Sequence, residues 1–194
     1  MKKLFSVTLL LLILSVASVS ASADTFTLVS GSGVTHNGFT VGPLNGTLNG
    51  SPVTVWCDDF DDFVNFGDTW EVNVLSFGDL SGATLTQYQT AAWLTMQFGV
   101  TDQSQWGDIH YALWRVFDDD PTLVNAGSDF WLALAQSQNF ANFDFSNFRI
   151  LRPTGDPGQE MITTVPEPMT LLLFGTGLAG VAAGARRRRK LGRT

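Results

Sequence analysis

Apolar and polar positions divide the chain into three zones. Lys2 and Lys3 precede an apolar run from Leu4 to about Ala17, and small residues then lead to Ala21-Ser22-Ala23 before Asp24 opens a polar stretch. A basic start, a short apolar core and an A-x-A site describe a secretory signal peptide over residues 1–23, cleaved after Ala23. A transmembrane helix would need a longer run. At the far end an uncharged segment runs from Met169 to Ala185. At ~1.5 Å per residue it spans about 25 Å, slightly short of a ~30 Å hydrocarbon core. It is expected to form a single C-terminal transmembrane helix. The cluster Arg186, Arg187, Arg188, Arg189 and Lys190 follows it and acts as the membrane stop, because such residues resist translocation.

Between these zones the periodicity changes twice. From Thr25 to Asp59 short Thr- and Val-rich pieces alternate with Asn37-Gly38, Asn45-Gly46 and Asn49-Gly50, all hairpin-type dipeptides. Pro52 to Cys57 and Thr69 to Leu75 read as strands flanking the acidic cluster Asp58-Asp59-Phe60-Asp61-Asp62. Helical spacing then takes over. Tyr88, Ala92 and Met96, with Ala91, Leu94 and Phe98 beside them, predict a helix over 86–98 that Gly99 ends. Asp102 and Gln105 resemble a capping pair. A second helix over about 104–117 places Trp106, Ile109, Leu113 and Phe117 on one face, and Asp118-Asp119-Asp120-Pro121 stops it. A third begins near Ser128 and runs to about Gln138. Strand patterns return at 148–151 and 160–163 around the turn Thr154-Gly155-Asp156-Pro157-Gly158. Strands, helices, then strands predict an α+β domain over residues 24–164, antiparallel and β-rich, with two or three inserted helices.

Charge sharpens this picture. Of the 18 acidic residues only Glu167 lies outside the middle zone, and of the 11 basic residues only Arg115, Arg149 and Arg152 lie inside it. Seventeen acids against three bases leave that zone at −14, although the whole chain carries −7. Such a field repels nucleic acid and suits cations. The zone has no lysine, which excludes lysine-based catalysis and Lys–Asn cross-links. All six tryptophans lie within it, enough aromatic area to build a core despite the charge.

The tail carries a family resemblance. Val165-Pro166-Glu167-Pro168, a short Gly-rich apolar span and an arginine cluster together resemble the PEP-CTERM sorting signal of Gram-negative bacteria. The resemblance covers residues 165–194. It implies an exosortase, a transpeptidase-like membrane enzyme, as the processing partner. It also implies an exported protein held in the membrane before sorting, then placed at the cell surface or in the extracellular matrix.

The middle zone has a second resemblance. Trp56-Cys57-Asp58-Asp59-Phe60, Tyr88-Gln89-Thr90-Ala91-Ala92-Trp93 and Ile109-His110-Tyr111-Ala112-Leu113-Trp114 are similar to the cysteine and glutamine segments of Cys–Gln thioester domains on bacterial surface adhesins. In that family the cysteine thiol condenses with the glutamine amide, releasing ammonia, and the thioester acylates a partner amine. The best-aligned segment has His110 where the amide is required, and an imidazole has no acyl carbon. Gln89 satisfies the same x-Gln-x-Ala-x-Trp pattern, so the candidate thioester is Cys57–Gln89. The alternatives are Cys57 as a small buried hydrophobe and a Cys57–His110 nucleophile pair.

Asp58, Asp59, Asp61 and Asp62, with Asp118 to Asp120, offer oxygen ligands for calcium but lack EF-hand spacing, so they read as solvated turns. There is no G-x-S-x-G, phosphate loop or H-E-x-x-H. The sequence therefore predicts a surface domain of structural or adhesive kind, without enzymatic activity, cofactor or metal. A surface polysaccharide or protein is its expected partner, and nucleic acid is not. A reactive thioester domain and a cation-binding adhesin stand as alternatives.

Overall fold

The computed structural model describes residues 23–165. The expected signal peptide up to Ser22, the Pro166-Glu167-Pro168 motif, the expected membrane helix and the arginine cluster lie outside the described residues. Among the described residues no helix is long and apolar enough to cross a membrane.

Six strands form a closed barrel: β1 (Asp24–Ser30), β4 (Leu44–Leu48), β5 (Ser51–Cys57), β8 (Met161–Thr164), β7 (Phe148–Pro153) and β6 (Thr69–Ser76), which returns to β1. Every neighbouring pair is antiparallel. The short pair β2 (Thr35–His36) and β3 (Phe39–Thr40) makes a separate ribbon. Helices α1 (Gly82–Gln97), α2 (Trp106–Trp114) and α3 (Ala126–Gln136) are all inserted between β6 and β7. The α+β prediction for the middle zone therefore holds, with three inserted helices among the described residues. The closure, which leaves the barrel no open edge, is a feature that periodicity alone does not specify.

Period-two burial identifies the inward face. Phe26 and Leu28 on β1, Trp70 and Val72 on β6, and Val55 and Cys57 on β5 are all buried at every second position. Phe26 pairs with Trp70 across the strands, their rings 5.0 Å apart and edge to face. On β7 and β8 the alternation disappears. Ile150 and Leu151, and then Met161, Ile162 and Thr163, are buried consecutively, because both faces of that wall are covered.

The Asn-Gly dipeptides divide by context. Asn37-Gly38 joins β2 to β3 and Asn49-Gly50 joins β4 to β5, with both residues of each pair at positive φ. Asn45-Gly46, expected to turn, lies instead inside β4. The Phe26 ring occupies the space that a side chain at Gly46 would need, so this glycine serves packing.

The helices also depart from the simple amphipathic reading. Helix α1 begins at Gly82, four residues earlier than expected, and residues 90–95 are buried in succession. Met96, placed on the buried face by its spacing, is 42 % exposed. Helix α2 ends at Trp114 rather than Phe117, and only Asp108 among its nine residues is not fully buried. It is a central helix, so a one-sided stripe does not describe it. Asp102 caps Ser104 N at 2.8 Å, ahead of α2, rather than pairing with Gln105. At α3 the cap is Asn125, whose side chain accepts from Ser128 N while Ser128 Oγ accepts from Asn125 N.

Candidate functional site

The β5 strand runs out of the barrel at Cys57 and delivers two different environments in consecutive residues. Cys57 keeps the inward parity of Val55. Its thiol donates to Asp59 O at 2.9 Å and accepts from Trp114 Nε1 at 3.4 Å. Burial pushes that thiol well above its ordinary pKa, and the Trp114 hydrogen bond only partly offsets this. A thiol so held is a poor nucleophile, since the thiolate is the reactive form.

His110 sits beside it on α2, fully buried. Its Nδ1 accepts from Gly42 N at 2.8 Å and its Nε2 meets Cys57 O at 2.9 Å. A backbone N–H can only donate and a carbonyl can only accept, so the ring is neutral with its proton on Nε2. Burial holds its pKa down at about 4, with the Cys57 carbonyl pulling the other way. The ring thus ties the β3–β4 connection to the end of β5. Cys57 and His110 are brought together as the sequence suggests. Gln89, half-buried on α1, is not among the hydrogen-bond partners of the Cys57 sulfur.

The next residue opens the second environment. Asp58 is 2 % exposed and neither carboxylate oxygen has a hydrogen-bond partner. Burial first, then the charge of Glu160, raises its pKa well above the ordinary carboxylate value, against opposing pulls from its own backbone N–H and Arg152. Glu160 is already engaged. Its Oε1 accepts from the Tyr88 hydroxyl and its Oε2 from Arg152 Nε at 2.6 Å, while Arg152 Nη2 donates to the Tyr88 hydroxyl at 2.7 Å. Burial and Glu160 push the Tyr88 hydroxyl pKa up as well.

Asp58 and Glu160 line a cleft of about 710 Å³ between the 58–62 loop, residues 117–119 and the β7–β8 loop. Six further carboxylates surround it: Asp59, Asp61, Asp62, Asp118, Asp119 and Asp156. Two of them shape the walls. Asp59 Oδ1 accepts from the backbone of Asp61 and Asp62, and Asp118 Oδ1 from Asp120 N. Buried Gln159 braces the loop by donating from Nε2 to Asp59 O and Asp62 O. Phe60, Phe117 and Pro153 add apolar wall. Among the described residues no three His, Cys, Asp or Glu side chains stand around one point in a way that could hold a metal ion.

On the other side of the 58–66 loop lies a smaller hollow of about 330 Å³ where Phe39, Phe60, Phe63, Phe66 and Trp114 meet Cys57. Phe63 and Phe66 remain largely exposed.

Sequence reasoning found the acidic runs but not the Tyr88–Glu160–Arg152 group. The available signal was compositional: Arg152 is one of only three cations in a strongly acidic zone. The isolation of Asp58 inside an acidic run has no signature in spacing.

Beyond the cleft the described chain ends at Val165, whose N–H donates to Asn147 O at 2.9 Å just past β8. No curated protein and no solved structure matches the chain. Residues 164–189 match the family model described as the PEP-CTERM protein-sorting motif, which supports a PEP-CTERM protein processed by an exosortase and bound for the cell surface.

Proposed function

We propose that this is an exported, surface-sorted protein whose barrel domain serves the envelope or extracellular matrix as a non-catalytic structural or adhesive module. The observation that carries this reading is the junction at Thr164. The sorting motif starts at the last residue of β8, so the whole folded domain lies on one side of it. The groups that chemistry would recruit are committed elsewhere. Both His110 nitrogens hold backbone groups, and the Cys57 thiol is buried with its pKa raised. The N-terminal segment supplies the export signal, and the apolar tail with its arginine cluster anchors the chain until sorting. Replacing Pro166-Glu167-Pro168 with alanines should leave the full-length protein in the membrane fraction. Unchanged processing and location in that variant would refute the assignment.

One observation favours a second reading. The ring of His110, the position aligned with the thioester glutamine, meets the Cys57 backbone carbonyl at 2.9 Å, which supports the pairing of these two segments. Intact-mass measurement of the purified chain separates the two. A mass lower by one ammonia, restored in Cys57→Ala, establishes a thioester to Gln89 or another amide. Full mass with a thiol that titrates after denaturation establishes the module without one.

A further inference from the structure

We infer that the acidic cleft lined by Asp58 is a binding site for a primary alkylammonium group, carried by a free polyamine or by a lysine side chain of a partner. This goes beyond the sorting reading and does not depend on it. Acidic residues alone do not make a site, and two of those around the cleft, Asp59 and Asp118, cap the backbone of their own turns. Asp58 is different. It lines the cleft, 98 % buried, with both oxygens unpartnered, whereas each oxygen of the neighbouring Glu160 already accepts a hydrogen bond, one from Tyr88 and one from Arg152. A buried acceptor left unpaired carries a penalty comparable to a lost hydrogen bond, which a donor arriving through the cleft removes.

Three features select the donor. First, among the described residues no three acidic, histidine or cysteine side chains converge on one point, as a bare divalent ion would require, but an ammonium needs only two or three acceptors. Second, a cleft of about 710 Å³ is far larger than an ion and falls in the range of small-molecule sites. Third, Phe60, Phe117 and Pro153 provide apolar wall for a methylene stem behind the charged head. The remaining carboxylates at the mouth add an attractive field that raises the on-rate for any cation but does not discriminate among them. Among the described residues the chain's own cations do not compete. Arg115 is paired with Asp129, Arg152 with Glu160, and Arg149 Nη1 donates to the carbonyls of Ser146 and Phe148.

The test titrates the full chain, in non-ionic detergent at neutral pH, with cadaverine, with its bis-trimethylammonium analogue pentamethonium and with calcium. Cadaverine and pentamethonium share length and charge but only the first has N–H donors, so cadaverine should bind at least ten-fold more tightly. Asp58→Asn should weaken cadaverine at least ten-fold, while Asp24→Asn, remote on β1, should change it less than two-fold. Nα-acetyl-lysine methylamide in place of cadaverine identifies the source: tighter binding of the lysine mimic points to a protein partner, and of the diamine to a free polyamine. Equal affinity for cadaverine and pentamethonium would reduce the cleft to a diffuse field and overturn the inference. Calcium binding one to one and more tightly than either amine would replace it with a metal site. The ligand-side comparison stands even where Asp58→Asn does not fold.

Discussion

The buried imidazole of His110 makes the fold sensitive to acid in a defined window. Its pKa falls from an ordinary 6.5 to about 4 because protonating Nδ1 would break the bond from Gly42 N and place a charge in the core. The unfolded chain takes up this proton near pH 6.5 and the folded one only near pH 4. Stability is therefore full above 6.5 and falls as the pH drops through that interval. At pH 4.5 the two titrations differ by about 2.5 kcal/mol, using ~1.4 kcal/mol per pKa unit and allowing for partial protonation of the folded state. Asp58 acts with the opposite sign. Its raised pKa stabilises the fold in acid and is lost as the pH rises through the folded value. The comparison must therefore cancel it. Glutamine offers one acceptor and one donor and does not titrate, so His110→Gln retains both backbone partners while removing the charge. Urea unfolding of the full chain at pH 7 and pH 4.5, monitored by tryptophan fluorescence, gives the two changes. Wild type should lose about 2.5 kcal/mol more than His110→Gln between these pH values. Parallel losses in the two proteins would show that the ring already carries its proton, or has access to water, in the native state.

Other perturbations report on the barrel and the network beside it. Gly46→Ala drives a methyl group into the Phe26 ring and should lower stability by about 1–3 kcal/mol, seen as a lower Tm. Arg152→Met strips Glu160 of its cation beside Asp58. With Arg152 43 % exposed, the loss should be about 1–2 kcal/mol, well below that of a fully buried pair, read from urea unfolding at pH 7. Cys57 should resist a thiol reagent such as Ellman's in the native state and react at once in denaturant. Rapid native labelling would contradict its burial and raised pKa.

How much of this could be read in advance follows from how local each feature is. The strands at 52–57, 69–75 and 148–151 and the turn at Asn49-Gly50 are written in period-two patterns and turn chemistry over a few residues. Asn45-Gly46 carries the same dipeptide as Asn49-Gly50, yet its outcome depends on Phe26, about twenty residues away. Met96 misled because α1 is covered on several sides at once, with residues 90–95 and Phe98 buried while Met96 between them is not, which a uniform stripe cannot express. At the site, Cys57 and His110 were legible as a pair from motif spacing. The neutral tautomer was not, because it depends on Gly42 donating to one nitrogen and the Cys57 carbonyl accepting from the other. Asp58 looked like any member of its acidic run until its two oxygens proved to have no partner.

The order of strands around the barrel has a consequence for synthesis. The final strand, β8, is inserted between β5 and β7 and is only four residues long. A chain shortened by a few residues at that point would leave the inward and outward rows of Val55, Ile150 and Leu151 uncovered, and two strand edges would be open to pairing with other chains. The barrel is sealed by the residues that immediately precede the sorting motif. Completion of the fold thus certifies that the chain has been made up to the start of its address label, and chains cut short before that point reveal themselves by their exposed edges.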